Sequence, residues 1–235
     1  MCGRYSLTRR QAELIERWGI EEMLCEAEEL QPRFNIAPSQ LVPAVMMHDG
    51  KRVLCMLKWG LVPFWVKDLK KTKPVINARC ESMAEKPFFR QAVKSKRCLI
   101  PADGFYEWKH EGKLKNPMYI HQPARNLFSF AGLWDEWRSP DGEVLRTCTI
   151  ITTAANNTMS PVHDRMPVIV RPELESLWLN PEEKDFAKLQ PALEPLADDQ
   201  LQMYQVSPRV NSPAQDIPEL VEPVPQQTSL FDRHA

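Results

Sequence analysis

Proline is the feature that most restricts this chain: 21 prolines stand against only 8 glycines in 235 residues. A proline fixes φ, removes a backbone donor and breaks the interior of helices and central strands. At this density the chain favours short strands, loops and brief helices over a helix bundle. A core is still required, because seven Trp and nine Phe must be buried, which excludes a wholly disordered chain. No run of eighteen apolar residues is present, so no membrane span is expected. The opening MCGRYSLTRR lacks the apolar stretch of a secretory signal, and a cytoplasmic protein is expected.

Thr8-Arg9-Arg10-Gln11 has the spacing of a capping box opening a helix through Trp18, with Gly19 as its stop. An acidic helix is expected over 21–30. Leu41–Met47 and Arg52–Trp59 read as strands joined at Asp49-Gly50. Further strands are expected at Val75–Ala78, Cys98–Pro101, Gly104–His110, Met118–Gln122, Leu127–Trp137, Val144–Thr153, Pro167–Val170 and Gln202–Val206. Helices are expected near 87–95 and 172–190. Strands do not alternate with helices, so the expected class is α+β: a single domain with a mixed, curled or barrel-like β-sheet and a few flanking helices. That domain is placed at 1–210. Prolines at 208, 213, 218, 223 and 225 among polar residues mark 211–235 as an extended, mobile tail.

The net charge of −1 gives no global reason to expect nucleic acid. Its distribution is uneven: residues 66–115 carry 13 Lys and Arg against 6 Asp and Glu, and residues 171–235 carry 5 against 12. A basic middle and an acidic end fit a local polyanion site, although charge alone favours two solvated faces. The six cysteines, at 2, 25, 55, 80, 98 and 148, form no CxxC pair, so neither a zinc site nor a thioredoxin-like motif is indicated.

Cys2 is the residue with distinctive chemistry. Removal of Met1 would make it N-terminal, with an α-amine of pKa about 7.7–8.0 beside a thiol of about 8.5. The amine attacks an aldehyde to give a Schiff base, and the thiol then closes on the same carbon as a five-membered thiazolidine. No internal cysteine can do this. Gly3 permits close backbone approach, and Arg4 offers a phosphate fork. Other clusters follow: Asn35-Ile36-Ala37-Pro38, the aromatic run Trp59 to Trp65, and Asn77 two residues before Arg79. Glu107 lies between Tyr106 and Trp108, where desolvation favours acid/base use. His163 is followed by Asp164 and Arg165. Each has an ordinary reading as well: Trp59 and Trp65 as core, Asn77 as a turn residue, Glu107 as strand surface, His163 as a loop histidine bonded to Asp164.

In order, MCGR, NxAP, WGLVPxW, INARxE, PADGFYEW and HDRMP resemble one family, SRAP (SOS-response-associated peptidase), from Cys2 to about Val210. The resemblance implies the SRAP fold and covalent capture of abasic sites in single-stranded DNA as a thiazolidine cross-link, within a DNA damage response. It implies Cys2 as nucleophile once Met1 is gone, with self-removal of Met1 as a further activity. Asn77 would position Cys2 or the sugar, Glu107 would act as general acid/base, and His163 would assist Schiff-base formation and proton shuttling. No metal or cofactor is implied. By residue type, Arg4, Arg79 and Arg165 suit phosphates and Thr152 offers a hydroxyl. Trp65, Phe64 and the turn from Asn35 to Pro38 suit stacking or wedging of bases. A monomer associated with the nucleoid is expected. In the tail, Gln227-Thr228-Ser229-Leu230-Phe231 resembles the short peptides by which bacterial repair proteins dock on the sliding clamp, with Gln227, Leu230 and Phe231 as contacts.

Three alternatives stay open. One is a non-covalent reader of modified or single-stranded DNA. Another is an N-terminal-cysteine glutamine amidotransferase, although the chain lacks any Gly-His pair. The third is a protease using Cys2 with His163.

Overall fold

The structure, a computed structural model, describes residues 2–225. Gln227, Leu230 and Phe231 of the clamp-like motif therefore lie outside the described residues. In chain order the strands are β1 (Tyr5–Leu7), β2 (Glu22–Met23), β3 (Arg33–Ile36), β4 (Leu41–His48), β5 (Lys51–Trp59), β6 (Asn77–Arg79) and β7 (Arg97–Ala102). They continue with β8 (Gly104–Glu111), β9 (Leu114–His121), β10 (Phe128–Arg138), β11 (Val144–Ala154), β12 (Arg165–Pro167), β13 (Ile169–Val170) and β14 (Gln202–Gln205). The helices are α1 (Gln11–Trp18), α2 (Arg90–Ser95), α3 (Pro172–Leu179) and α4 (Phe186–Leu189).

Asp49 and Gly50 both take positive φ, 49° and 78°, the geometry that matches a right-twisted hairpin. β4 and β5 accordingly pair from Leu41↔Lys58 to His48↔Lys51. Neighbours continue in the order β5-β4-β7-β10-β11, and β11 returns to β5 through the parallel pairs Thr147↔Lys58 and Cys148↔Trp59. The result is a closed five-stranded barrel. Gly132 lets β10 and β7 approach, since a Cβ there would lie 2.8 Å from Cys98 Sγ. A second sheet runs β14-β9-β8-β1-β3. Tyr5 joins it to the barrel, with its ring edge-on to Trp59 at 5.5 Å and Phe130 at 5.6 Å. Buried Glu175 bolts α3 to α1 and β10. It accepts both Arg17 guanidinium N–H groups at 3.0 and 2.9 Å, the Trp18 indole at 3.2 Å and the Ser129 hydroxyl at 2.8 Å. Among the described residues no helix is long and apolar enough to cross a membrane.

Four local expectations differ from the structure. Thr8 does not cap α1, because its N–H and hydroxyl both donate to buried Asp103, at 2.6 and 2.5 Å. Arg10 is the N-cap instead, and Glu13 closes the box on its N–H at 3.0 Å. The acidic stretch 21–30 forms β2 and one 3₁₀ turn, because Glu21 and Leu24 donate to the backbone of β5, at 2.9 and 2.8 Å. The helix over 172–190 is broken by Pro181, which cannot donate. Arg97 takes the freed carbonyls of Trp178, Asn180 and Glu183.

The fourth difference concerns the tail. Residues 211–225 are neither extended nor free of the domain. Asp216 accepts from the Phe34 and Asn35 N–H groups at 2.5 and 3.1 Å and pairs with Arg33. Leu220 and Val221 are buried in a cluster with Tyr106 and Tyr119. The prolines here start two 3₁₀ turns, Pro208–Asn211 and Pro218–Val221, so they fold the segment onto the second sheet.

Candidate active site

β1 meets β8 through Tyr5↔Phe105 and Ser6↔Gly104, and Tyr106 N–H donates to Arg4 O at 3.0 Å. Continuing that register sets residues 2 and 3 alongside Trp108 and Glu107. Cys2 is fully buried there. Burial pushes its thiol well above the ordinary range, the Glu107 carboxylate adds to the rise, and the Arg4 backbone N–H works against it. The sulfur is therefore a neutral thiol near pH 7, not a thiolate.

Glu107 is itself buried, on β8 between Tyr106 and Trp108. It lines an open cleft of about 420 Å³ together with His163, Trp108 and Asn211. Trp108 and Asn211 have no obvious role in the sequence; here the Trp108 indole donates to Asn211 Oδ1 at 2.7 Å and forms one wall. Residues 56 apart in the chain are thus brought to one opening, and the buried thiol of Cys2 lies within reach of the Glu107 charge.

Asn77 begins β6, in register with Ile150 of β11. Its amide nitrogen reaches Ile150 O at 3.5 Å, and its Oδ1 is buried and accepts no hydrogen bond among the described residues. Trp59 connects this strand to β1: its indole donates to Ile76 O at 2.9 Å and its ring packs on Tyr5. The aromatic run therefore divides, with Trp59 in the core and Trp65 and Phe64 at the surface, 48% and 54% exposed. Trp65 stands edge-on to Phe88 at 6.1 Å, and Lys96 lies 5.6 Å over the Phe64 ring. Phe88 carries no such signal in the sequence, because a Phe-Phe pair ahead of a helix does not show which ring lies beside Trp65. Pro38 is half-buried in a turn completed by Ser39 at φ 72°.

At His163, the Arg165 N–H donates to Nδ1 at 2.9 Å, and Asp164 Oδ1 lies 2.8 Å from the same nitrogen. Nδ1 thus faces one backbone donor and one carboxylate, and accepting from the Arg165 N–H is the arrangement that leaves the ring proton on Nε2.

The three arginines expected at phosphates are not equivalent. Arg79 is exposed and makes no ion pair among the described residues. Arg4 is buried, and its Nη1 donates only to neutral acceptors, Asn35 Oδ1 at 2.8 Å and Val210 O at 2.7 Å. Desolvation pulls its pKa down, and no carboxylate among the described residues pairs with it. Arg165 instead forks onto Glu81 at 2.5 and 2.9 Å. Two further expectations are corrected. Asn35 does not face a base: it is fully buried, and its amide donates to Ser212 O and Gln215 O at 3.0 and 2.6 Å. Thr152 does not face a phosphate: it is fully buried between Ala78 O and Arg165. Among the described residues no three His, Cys, Asp or Glu side chains gather as a metal ion needs.

Cys2 is thus buried within the field of Glu107, and Glu107 shares one cleft with His163. The chain belongs to the SOS response associated peptidase (SRAP) family, whose model matches residues 1–213. It is 48% identical over 223 residues to the abasic site processing protein YoqW of Bacillus subtilis, covering 94% of this chain and 99% of that one. It is 31% identical over 228 residues to the abasic site processing protein HMCES of Xenopus tropicalis, covering 83% and 67%. A crystal structure of a Bacteroides thetaiotaomicron protein superposes with a TM-score of 0.85 at 29% identity, covering 95% of this chain and all of that one.

Proposed function

We infer that this chain captures abasic sites in single-stranded DNA as a thiazolidine cross-link through Cys2, after Met1 is removed. The observation that carries this reading is that buried Cys2 feels the charge of Glu107, which lies with His163 on one cleft. The order of events follows from aminothiol chemistry, in which the thiol closes on an imine that the amine has already formed. The α-amine of Cys2 adds first to the aldehyde carbon of the ring-opened deoxyribose. His163 passes the Nε2 proton to the departing carbinolamine hydroxyl and recovers the carbinolamine N–H proton, so water leaves, the neutral imine forms and the ring ends neutral. Sulfur then adds to the imine carbon while Glu107 takes the thiol proton and delivers it to the imine nitrogen, which returns the carboxylate. One S–C and one N–C bond form, and one water is lost overall. Asn77 Oδ1, buried with no donor among the described residues, accepts from the amine or a sugar hydroxyl.

Grip on the strand rests on Arg79 and on Arg4, whose buried charge a phosphate would neutralise. Trp65 and Phe64, with Phe88 behind and Pro38 as a wedge, give a base-stacking surface suited to a site with no base to read. Removal of Met1 by the chain itself belongs to the same reading: Cys2→Ala or Glu107→Gln protein should retain Met1 by mass spectrometry when expressed without aminopeptidase.

The test is a denaturing gel of purified protein with single-stranded DNA carrying one abasic site. A shifted band that survives denaturation and disappears in Cys2→Ala is the expected result. No such band, with Met1 shown to be absent, would leave a reversible DNA reader in its place.

A further inference from the structure

Arg165 is held by a carboxylate of its own chain. Glu81 accepts from Nη1 at 2.5 Å and from Nη2 at 2.9 Å, and Nη2 also donates to Thr152 O at 2.7 Å. The arginine side chain is 12% exposed and the glutamate 51%. The two-pronged face that a phosphate would use is thus filled. A pair with its carboxylate half in water adds little to folding stability, but bidentate geometry fixes direction.

What it directs is on the same residue. The backbone N–H of Arg165 is the donor to His163 Nδ1, at 2.9 Å. Without that donor Nδ1 is open to a proton and can turn to Asp164, already 2.8 Å away. The exchangeable proton would then sit on the wrong nitrogen. Glu81 follows β6, so one short segment carries Asn77, Arg79 and this clamp.

We propose that Glu81 is a positioning residue for the capture step: by clamping Arg165 against Thr152 it holds the Arg165 N–H on His163 Nδ1 and keeps the His163 proton on Nε2. This rests on the reading of His163 as proton donor in capture.

The test separates rate from affinity. Single-turnover cross-linking is measured with saturating protein on abasic single-stranded DNA. Binding is measured on the same oligonucleotide carrying a tetrahydrofuran analogue, which has no aldehyde. Glu81→Gln and Glu81→Ala should slow cross-linking by about tenfold or more. Both should leave analogue affinity within about twofold, because the clamp makes no phosphate contact. Glu81→Asp should restore most of the rate, and Glu81→Gln should cost nothing further in a His163→Ala background. Thermal melting checks that the variants are folded. An unchanged rate, a loss that persists in His163→Ala, or tighter analogue binding with the rate intact would overturn the proposal. The last result would make Glu81 the occupant of a phosphate site. A wild type that forms no cross-link overturns the capture reading, and this proposal with it.

Discussion

Arg79 and Arg165 look alike in the sequence, and the structure predicts opposite behaviour for them in DNA binding. Arg79 is exposed and makes no ion pair among the described residues, whereas Arg165 is neutralised by Glu81. For single strands each neutralised phosphate contributes about 0.7 to the slope of log K against log salt. Losing one such contact should therefore flatten the slope by about 0.7, a change of about 2.6-fold in relative affinity between 50 and 200 mM salt. Arg79→Ala should show this. The charge-conserving double variant Glu81→Gln/Arg165→Gln should leave the slope where it was, since it removes a pair with no net charge. The assay is fluorescence anisotropy with a tetrahydrofuran-containing oligonucleotide, in a Cys2→Ala background that excludes cross-linking, across a salt series. Equal flattening in both variants would refute the assignment of Arg165 to Glu81. No flattening in Arg79→Ala would remove Arg79 from the DNA surface.

Other consequences follow from particular contacts. Glu175→Gln should destabilise the fold by about 2–4 kcal/mol, because buried Trp18 and Ser129 donors and the Arg17 fork lose a charged acceptor; thermal unfolding by circular dichroism should fall by several degrees. The thiols of Cys2, Cys98 and Cys148 are all raised above their ordinary value of 9.0, chiefly by burial. Raised acids favour the folded state while neutral, so their stability contribution is full below the ordinary thiol range and is lost as pH climbs through it. Denaturant midpoints should drop above pH 9, and Cys2 should resist alkylation near pH 8 until the chain is unfolded; rapid native alkylation would contradict its burial. For the tail, Leu230→Ala/Phe231→Ala should abolish retention on an immobilised bacterial sliding clamp, and undiminished retention would discard the motif.

Sequence was a good guide where local chemistry decides the outcome. Asp49-Gly50 demands positive φ at two successive residues, so the hairpin was legible from two letters. It failed where a distant group takes over a local signal. Thr8 has a capping spacing, yet Asp103 claims its hydroxyl, and the acidic 21–30 stretch is drawn to the open edge of β5. The proline-rich end reads as free chain because nothing local reveals that Asp216 meets Arg33 and that Asn35 holds Ser212 and Gln215. The site divides in the same way. Cys2, Glu107 and His163 stand out by residue type and neighbours, but the cleft joining Glu107 to His163 exists only once β8 and the 163–165 segment are folded. Asn35, Thr152 and Arg165 were reasonable as DNA contacts on donor chemistry alone. Burial and the partner Glu81, 84 residues from Arg165, give them internal work instead.

The most direct measurement is the intact mass of the complex with abasic single-stranded DNA, taken before and after borohydride. Capture by Cys2 as a thiazolidine predicts the mass of the Met1-free chain plus the DNA less one water. Borohydride should leave that mass unchanged, because the closed ring offers no imine to reduce. An adduct that gains two hydrogens, that retains Met1, or that persists in Cys2→Ala would contradict it.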